Sequence, residues 1–481
     1  MVNALSSTRA DANQIAPEDL AAHDWYRFVL SFPPHLVREY LDRFGIDHRS
    51  RVLDPFCGTG TTLVECKKRG VPSVGVEANP LAHFASAVKV DWSPDPAELA
   101  RHARSVALAA YDQLMAQGID DDPILPRPCP STALRRLPDE LAALLLADSI
   151  SPLPLHKTLV LLDTLRSRAR EEFNGHERLA LARALVNSIS NLHFGPEVGV
   201  GPAKADAPVI STWLNGVCKM ARDLEHVQTG PPAPSEVHYS DSRRICEALE
   251  PGSVDAVITS PPYPNEKDYT RTTRLESVLL GFISSKEELR SVKKTLVRSN
   301  TRGVYRDDTD DGCLGVDSEV AQIADLIEAR RIEMGKTSGF ERQYARVTRL
   351  YFGGMARHLA EMRPILRPGA QLAYVVGDQA SYLRVMIRTG RLLADIAASL
   401  GYKVVGLELF RTRLATATRE QLREEVLVLR WPGSRATRLP IRPPSLVQYR
   451  SKKTPLAPFQ ESTQVDLAPF YPLTSITGSV I

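Results

Sequence analysis

Two stretches of this 481-residue chain hold side chains whose types and order could do chemistry. The first is Asp54-Pro55-Phe56-Cys57-Gly58-Thr59-Gly60-Thr61-Thr62, lying between a strand-like and a helix-like segment. Glycines there let the backbone approach a ligand closely, and the first turn of a helix offers N–H groups with no partner of their own. Glu77 follows 17 residues after Gly60, at the end of the next strand, where a carboxylate can accept from both hydroxyls of a ribose. Together they describe a nucleotide-like pocket. A Gly-x-Gly turn alone would equally be an ordinary tight turn; the acid at this spacing and the Asp before the loop are what that plainer reading leaves unexplained. The segment lacks the Gly-Lys-[Ser/Thr] of a P-loop and the third glycine of a dinucleotide fingerprint.

The second stretch is Thr259-Ser260-Pro261-Pro262-Tyr263-Pro264, directly after the apolar run VDAVI. Two prolines cannot continue a ladder, so the chain must leave the sheet here, at the carboxyl edge where ligands bind in such folds. A rigid strand exit accounts for the prolines but not for the flanking hydroxyl and aromatic ring.

Alternating elements must position these stretches. Residues 51–54 read as a short buried strand, 61–69 as a helix closed by Gly70, and 73–77 as a second strand. After the Pro-punctuated DWSPDP come long helical patterns over 97–230, ending in TGPPAPS. Strand texture returns at 236–240 and 254–260, and 284–350 is again polar and largely helical. Residues 351–366 read as an amphipathic helix stopped by Pro368-Gly369, followed by a strand at 371–378, a helix at 388–399 and strands at 402–409 and 425–431. The expected fold class is α/β, a doubly wound Rossmann-like sheet with largely helical insertions.

Hydrophobic residues make up 43% and charged residues 24%, which excludes a wholly disordered or fibrous chain. The net charge of +3 is too small to mark a nucleic-acid binder, so any basic surface must be local. Six scattered cysteines without a C-x-x-C pair or a His cluster argue against zinc and disulfides, so no metal is expected. No apolar run reaches signal-peptide or membrane-span length, and a cytoplasmic location is expected.

DPFCGTGTT with Glu77, followed by TSPPY after a strand, resembles the S-adenosylmethionine-dependent DNA amino-methyltransferases, which make N4-methylcytosine or N6-methyladenine. The resemblance covers roughly 23–95, 236–283 and 351–431. It implies that Asp54, Pro55, Phe56, Cys57, Gly58, Thr59, Gly60, Thr61, Glu77 and Asn79 face S-adenosyl-L-methionine. Phe32 and Pro33 would flank its methionine end, and Asp241, in HYSDSRRI, would lie near the adenine amino group. Ser260, Pro261, Pro262 and Tyr263 would form the catalytic loop acting on a base flipped out of double-stranded DNA. Ser-Pro-Pro-Tyr is the commoner form among the N4-cytosine enzymes and Asp- or Asn-Pro-Pro-Tyr among the N6-adenine enzymes, so cytosine is favoured and adenine stays open. Carbon-5 methylation would need a Cys nucleophile after a Pro; the one such pair is Pro128-Cys129, in a loop between helices.

The resemblance divides the chain into core (1–95), helical insertion and candidate target-recognition region (96–235), core with the catalytic loop (236–283), basic helical insertion (284–350), last core part (351–433) and tail (434–481). Residues 286–306 carry seven Lys/Arg against two Glu; Arg271, Arg274, Lys293, Lys294 and Arg298 are the expected DNA contacts, against the plainer reading of a solvated helix face. Residues 401–453, with twelve Lys/Arg against four acids, are a further basic surface. A cognate restriction endonuclease is a candidate partner. The competing readings are an RNA or protein-glutamine methyltransferase with a similar loop, and a non-catalytic DNA-binding subunit on the same fold.

Overall fold

The computed structural model describes residues 15–27, 31–123, 133–194, 197–264, 267–315, 318–414 and 421–433. Seven strands form one sheet: β1 (Val52–Asp54), β2 (Ser73–Glu77), β5 (Ser235–Tyr239), β6 (Val254–Thr259), β7 (Leu366–Gly377), β8 (Lys403–Leu414) and β9 (Gln421–Arg430). A separate hairpin pairs β3 (Leu192–Phe194) with β4 (Val198–Val200). The sheet order is β5-β2-β1-β6-β7-β9-β8, parallel from β5 to β7, with β9 antiparallel to both of its neighbours. This is the Rossmann-like α/β architecture. Chain order reverses between β1 and β6, and at such a switch point a doubly wound sheet opens a crevice beyond its carboxyl ends.

The main helices are α1 (Pro34–Arg43), α2 (Thr61–Lys68), α3 (Pro80–Val90), α4 (Pro96–Ala116), α5 (Pro152–Ser167), α6 (Glu171–Ala184), α7 (Ile210–Val227), α8 (Lys286–Thr295), α9 (Glu319–Glu333), α10 (Tyr344–Met362) and α11 (Thr389–Ser399). Both sheet faces are covered, which is why the central strands read as unbroken apolar runs. Along β7, Leu372, Tyr374 and Val376 pack toward α10 and α11, while Ala373 and Val375 pack on the side of α1. Turn chemistry starts the helices where the sequence placed proline: Asn79 caps α3 ahead of Pro80, and Asp95 caps α4 ahead of Pro96.

The first insertion is not a separate body. Leu99, Leu161, Leu181 and Trp213 share one apolar cluster with Leu63 of α2 and Leu81 and Ala85 of α3. The Asp121 carboxylate caps α7, accepting from Val209 N (2.9 Å), Ile210 N (3.1 Å) and Ser211 N (3.0 Å).

Several element boundaries differ from the sequence reading. The helix expected over 351–366 runs instead over Tyr344–Met362. Its apolar spacing continues upstream through Val347, and it ends at Pro364, not Pro368-Gly369: Arg363 is still helical (φ −55°, ψ −45°), but Pro364 has no N–H to continue the ladder. Pro368 and Gly369 lie within β7, where Gly369 (φ +93°) makes an irregular turn and its N–H bonds Trp431 O at 2.7 Å. Strands β8 and β9 also run longer than expected, to Leu414 and from Gln421. Among the described residues no helix is long and apolar enough to cross a membrane, and no group of His, Cys, Asp and Glu is placed to hold a metal ion.

Candidate active site

At the switch point lies a cavity of about 180 Å³, walled by the loops leaving β1, β2 and β6. Asp54 ends β1, fully buried, and ties two of these loops: its Oδ1 accepts from Phe56 N (3.1 Å) in its own loop and from Thr259 Oγ1 (2.6 Å) at the end of β6. Thr62 Oγ1 adds a bond to Ile258 O at 3.1 Å. Burial pushes the Asp54 carboxyl up to about 6, against these hydrogen bonds. Gly58 (φ +52°) and Gly60 (φ +83°) hold the left-handed turns that only glycine adopts cheaply. A Cβ at Gly58 would meet nothing nearer than Phe56 O at 4.0 Å, so its backbone borders open cavity, whereas one at Gly60 would strike Ser86 Cβ at 3.0 Å. Thr59 Oγ1, also on the wall, is buried without a partner.

Glu77 ends β2 with its carboxylate fixed by Gly58 N (2.9 Å, to Oε2) and Asn79 N (2.7 Å, to Oε1). With Ala78 N also close, lone-pair capacity remains for a ligand hydroxyl. Burial pushes this carboxyl up to about 7. Asn79 accepts from Leu81 N and Ala82 N and donates to Thr273 Oγ1 (3.3 Å), fastening α3 to the turn that follows the catalytic loop.

The β6 exit forms the opposite wall. Ser260 Oγ donates to Val375 O at 3.3 Å and is also hydrogen-bonded with the Tyr263 phenol, which ties the two ends of the loop together. The Tyr263 ring lies on the backbone of Gly377, where a Cβ would come within 2.8 Å of Cε2. Cys57 is buried beside Ser86 Oγ (3.6 Å), and burial pushes its thiol well up, which disfavours a nucleophilic thiolate. Pro128-Cys129 lies outside the described residues.

Of the expected site residues, the structure brings Phe32, Pro55, Phe56, Cys57, Gly58, Thr59, Thr61, Glu77 and Asn79 to the cavity wall, together with all four of Ser260 to Tyr263. Asp54 and Gly60 support that wall from behind. Pro33 precedes α1 and does not line it. Asp241 is turned to Arg243, which donates through Nε (3.0 Å) and Nη2 (2.7 Å), and the cavity wall there is Ser240 and Ser242. The expected DNA contacts scatter. Arg274 donates to Thr270 O (3.0 Å) and Leu144 O (3.2 Å), while Arg271 Nε is buried without a partner. Lys294 pairs with Asp307 on the surface. Arg298, 3% exposed, is held by Asp308 (2.7 Å) and by the carbonyls of Lys293 and Lys294, so it has no free face for a phosphate. Lys293 lines the cavity and pairs with Asp268 at 2.8 Å.

Sequence reasoning missed the second insertion as cavity wall: Leu296, Ser299 and Asn300 stand there, as do Tyr269 of the catalytic loop and Phe410 and Glu424 of the β8–β9 hairpin. The one available signal was Asp268-Tyr269, five and six residues after Tyr263.

A doubly wound sheet with a nucleotide-like loop and an X-Pro-Pro-Tyr exit on one cavity defines a Rossmann-like methyltransferase. The DNA methylase family model matches residues 10–86. The Type II methyltransferase M.BsoBI of Geobacillus stearothermophilus is 23% identical over 459 residues, covering 86% of this chain and 84% of that protein. The Type II methyltransferase M.MjaII of Methanocaldococcus jannaschii is 35% identical over 69 residues, 14% of this chain and 13% of that protein. These likenesses, with the site above, identify the chain as a DNA methyltransferase.

Proposed function

We propose that this enzyme transfers a methyl group from S-adenosyl-L-methionine to the N4 amine of a cytosine flipped out of double-stranded DNA, with adenine N6 as the second reading. The observation that carries it is the single cavity shared by the glycine loop, Glu77 and Ser260 to Tyr263, its two sides joined through Asp54 and Thr259. The residues fit the cofactor: the open backbone at Gly58, the unpartnered Thr59 hydroxyl and the Glu77 carboxylate are what a ribose and an amino-acid tail need. Phe32, Gly58, Thr59, Glu77 and Ser242 would hold it. When bound, S-adenosylmethionine supplies a sulfonium-activated methyl group.

An exocyclic amine is a poor nucleophile because its lone pair is conjugated with the ring. Ser260 Oγ and the Pro261 carbonyl accept its two hydrogens, which holds the nitrogen toward sp³ geometry with its lone pair free to attack; the surplus proton on the methylated nitrogen then leaves to solvent. Positioning is then the main contribution, an effect that can reach several kcal/mol. Tyr263, braced on Gly377, stacks on the base. No covalent enzyme intermediate is required, in keeping with a buried Cys57.

Base readout needs contacts beyond one flipped nucleotide, and we assign it to the first insertion, 96–235. The two relatives carry the name Type II methyltransferase, and a cognate restriction endonuclease is the partner this reading supplies. Acting on cellular DNA would place the enzyme in the cytoplasm. The test is expression in a methylation-free host, with single-molecule sequencing for the site and nucleoside mass spectrometry for the base. N4-methylcytosine is expected; N6-methyladenine would select the second reading, and unmodified DNA would overturn both.

A further inference from the structure

The second insertion is fastened to the cavity at two places. On one flank, Lys293 Nζ meets Asp268 Oδ2 at 2.8 Å, and Asp268 Oδ1 is fixed in turn by Thr270 Oγ1 (2.7 Å) and Thr270 N (3.1 Å). On the other, Arg243 Nη2 donates to Lys294 O at 2.9 Å while the same guanidinium holds Asp241 and Asp310. The last turn of α8 is thus strapped between the catalytic loop and the loop leaving β5.

Both fastenings lie at the same end of the cavity. Tyr269, next to Asp268, is close enough to Glu77 for that carboxyl to help burial push the phenol up to about 12. The turn that begins at Tyr269 ends at Thr273, which bonds Asn79 (3.3 Å), two residues beyond Glu77. Arg243 stands beside Ser242, on the cavity wall. Glu77 is the residue assigned above to the ribose and Ser242 is among those that would hold the cofactor, so the strap crosses the half of the cavity that takes the adenosyl group.

Resting on that cofactor reading, we propose that Lys293 and Asp268 form a positioning pair that holds the end of α8 closed over the adenosyl half of the cofactor and governs its release. With the wall fastened on both flanks, a nucleoside against it is held until a fastening loosens, so the pair acts on dissociation more than on association. Lys293 is 15% exposed and already matched to a carboxylate, an arrangement suited to holding two segments together and ill suited to gripping a phosphate.

The test measures release of S-adenosylhomocysteine from the full chain by stopped flow, with affinity by calorimetry. Lys293→Met should dissociate about ten-fold faster, Lys293→Arg should restore nearly the wild-type rate, and Asp268→Asn combined with Lys293→Met should be little worse than either alone. The salt dependence of DNA binding should not change in Lys293→Met. A wild-type dissociation rate in Lys293→Met overturns the inference, whether or not its melting temperature falls. So does a salt slope lowered by about one, which would make Lys293 a phosphate contact. No binding of S-adenosylhomocysteine to the wild-type chain would overturn the cofactor reading itself and this inference with it.

Discussion

Asp54 and Thr259 meet at 2.6 Å across the switch point of the sheet, so the carboxylate that opens the cofactor loop also anchors the residue before Ser260. Two segments some two hundred residues apart in sequence are thereby set to one geometry. Thr259→Val keeps the shape and removes the donor, leaving the buried Asp54 short of a partner. The expected cost is about 1–3 kcal/mol of stability, read from denaturant unfolding, with turnover reduced as the two loops lose register. Unchanged stability would show that the bond contributes nothing.

If Glu77 takes the ribose, cofactor affinity should depend on pH. Its carboxyl is raised from the usual 4.5 to about 7, so the folded chain keeps a proton that the unfolded chain has released between those values. Stability of the free enzyme should therefore fall as pH rises through that window. A ribose hydroxyl needs the ionised carboxylate as acceptor, so affinity for S-adenosylhomocysteine should climb from about pH 6 to about pH 8, with proton release on binding. Glu77→Gln should flatten that profile in calorimetry; a profile as steep as wild type would remove Glu77 from the binding equilibrium.

Ser260 and Tyr263 should act after the cofactor has bound. Ser260→Ala is expected to lower turnover about 10- to 100-fold while cofactor affinity stays near wild type, since its partner is the target amine. Tyr263→Ala should weaken engagement of the flipped base by about 1–3 kcal/mol, measurable with a fluorescent base at the target position. Wild-type turnover in both variants would sink the assignment.

Gly377→Ala tests the brace behind Tyr263. The added methyl would come within 2.8 Å of the ring, which must shift. Turnover should drop, with cofactor affinity unaffected because Gly377 does not line the cavity. Kinetics indistinguishable from wild type would mean that the ring position is not critical.

Much of this was legible in the chain. The glycine loop, Glu77 and the Pro-Pro exit announce themselves because each demands unusual residues in a fixed local order: a left-handed turn at Gly58 and Gly60, an acid at a strand end, and two prolines where a ladder must stop. Long-range pairing leaves no such mark. Nothing about Lys293 or Arg298 in a run of seven cations tells a phosphate contact from a partner of Asp268 or Asp308, since both look like exposed basic helix until the fold brings the acids alongside. Asp241 was similarly ambiguous: a carboxylate two residues before Arg243 can turn either to a ligand or back to its neighbour, and in this fold it turns back. The misplaced helix end came from weighing Pro368-Gly369 above Pro364, although a single proline suffices to stop a helix.

The apolar cluster that runs from Leu63 and Leu81 into Leu181 and Trp213 leaves the catalytic half without a finished surface on that side. Wholesale exchange of the first insertion would strip bare the backs of α2 and α3, so a lineage acquiring a new DNA target has to conserve the inward face as a template. Its freedom to diverge lies on outward positions of the same helices, such as Leu108 and Met115, which bear no share of that common interior.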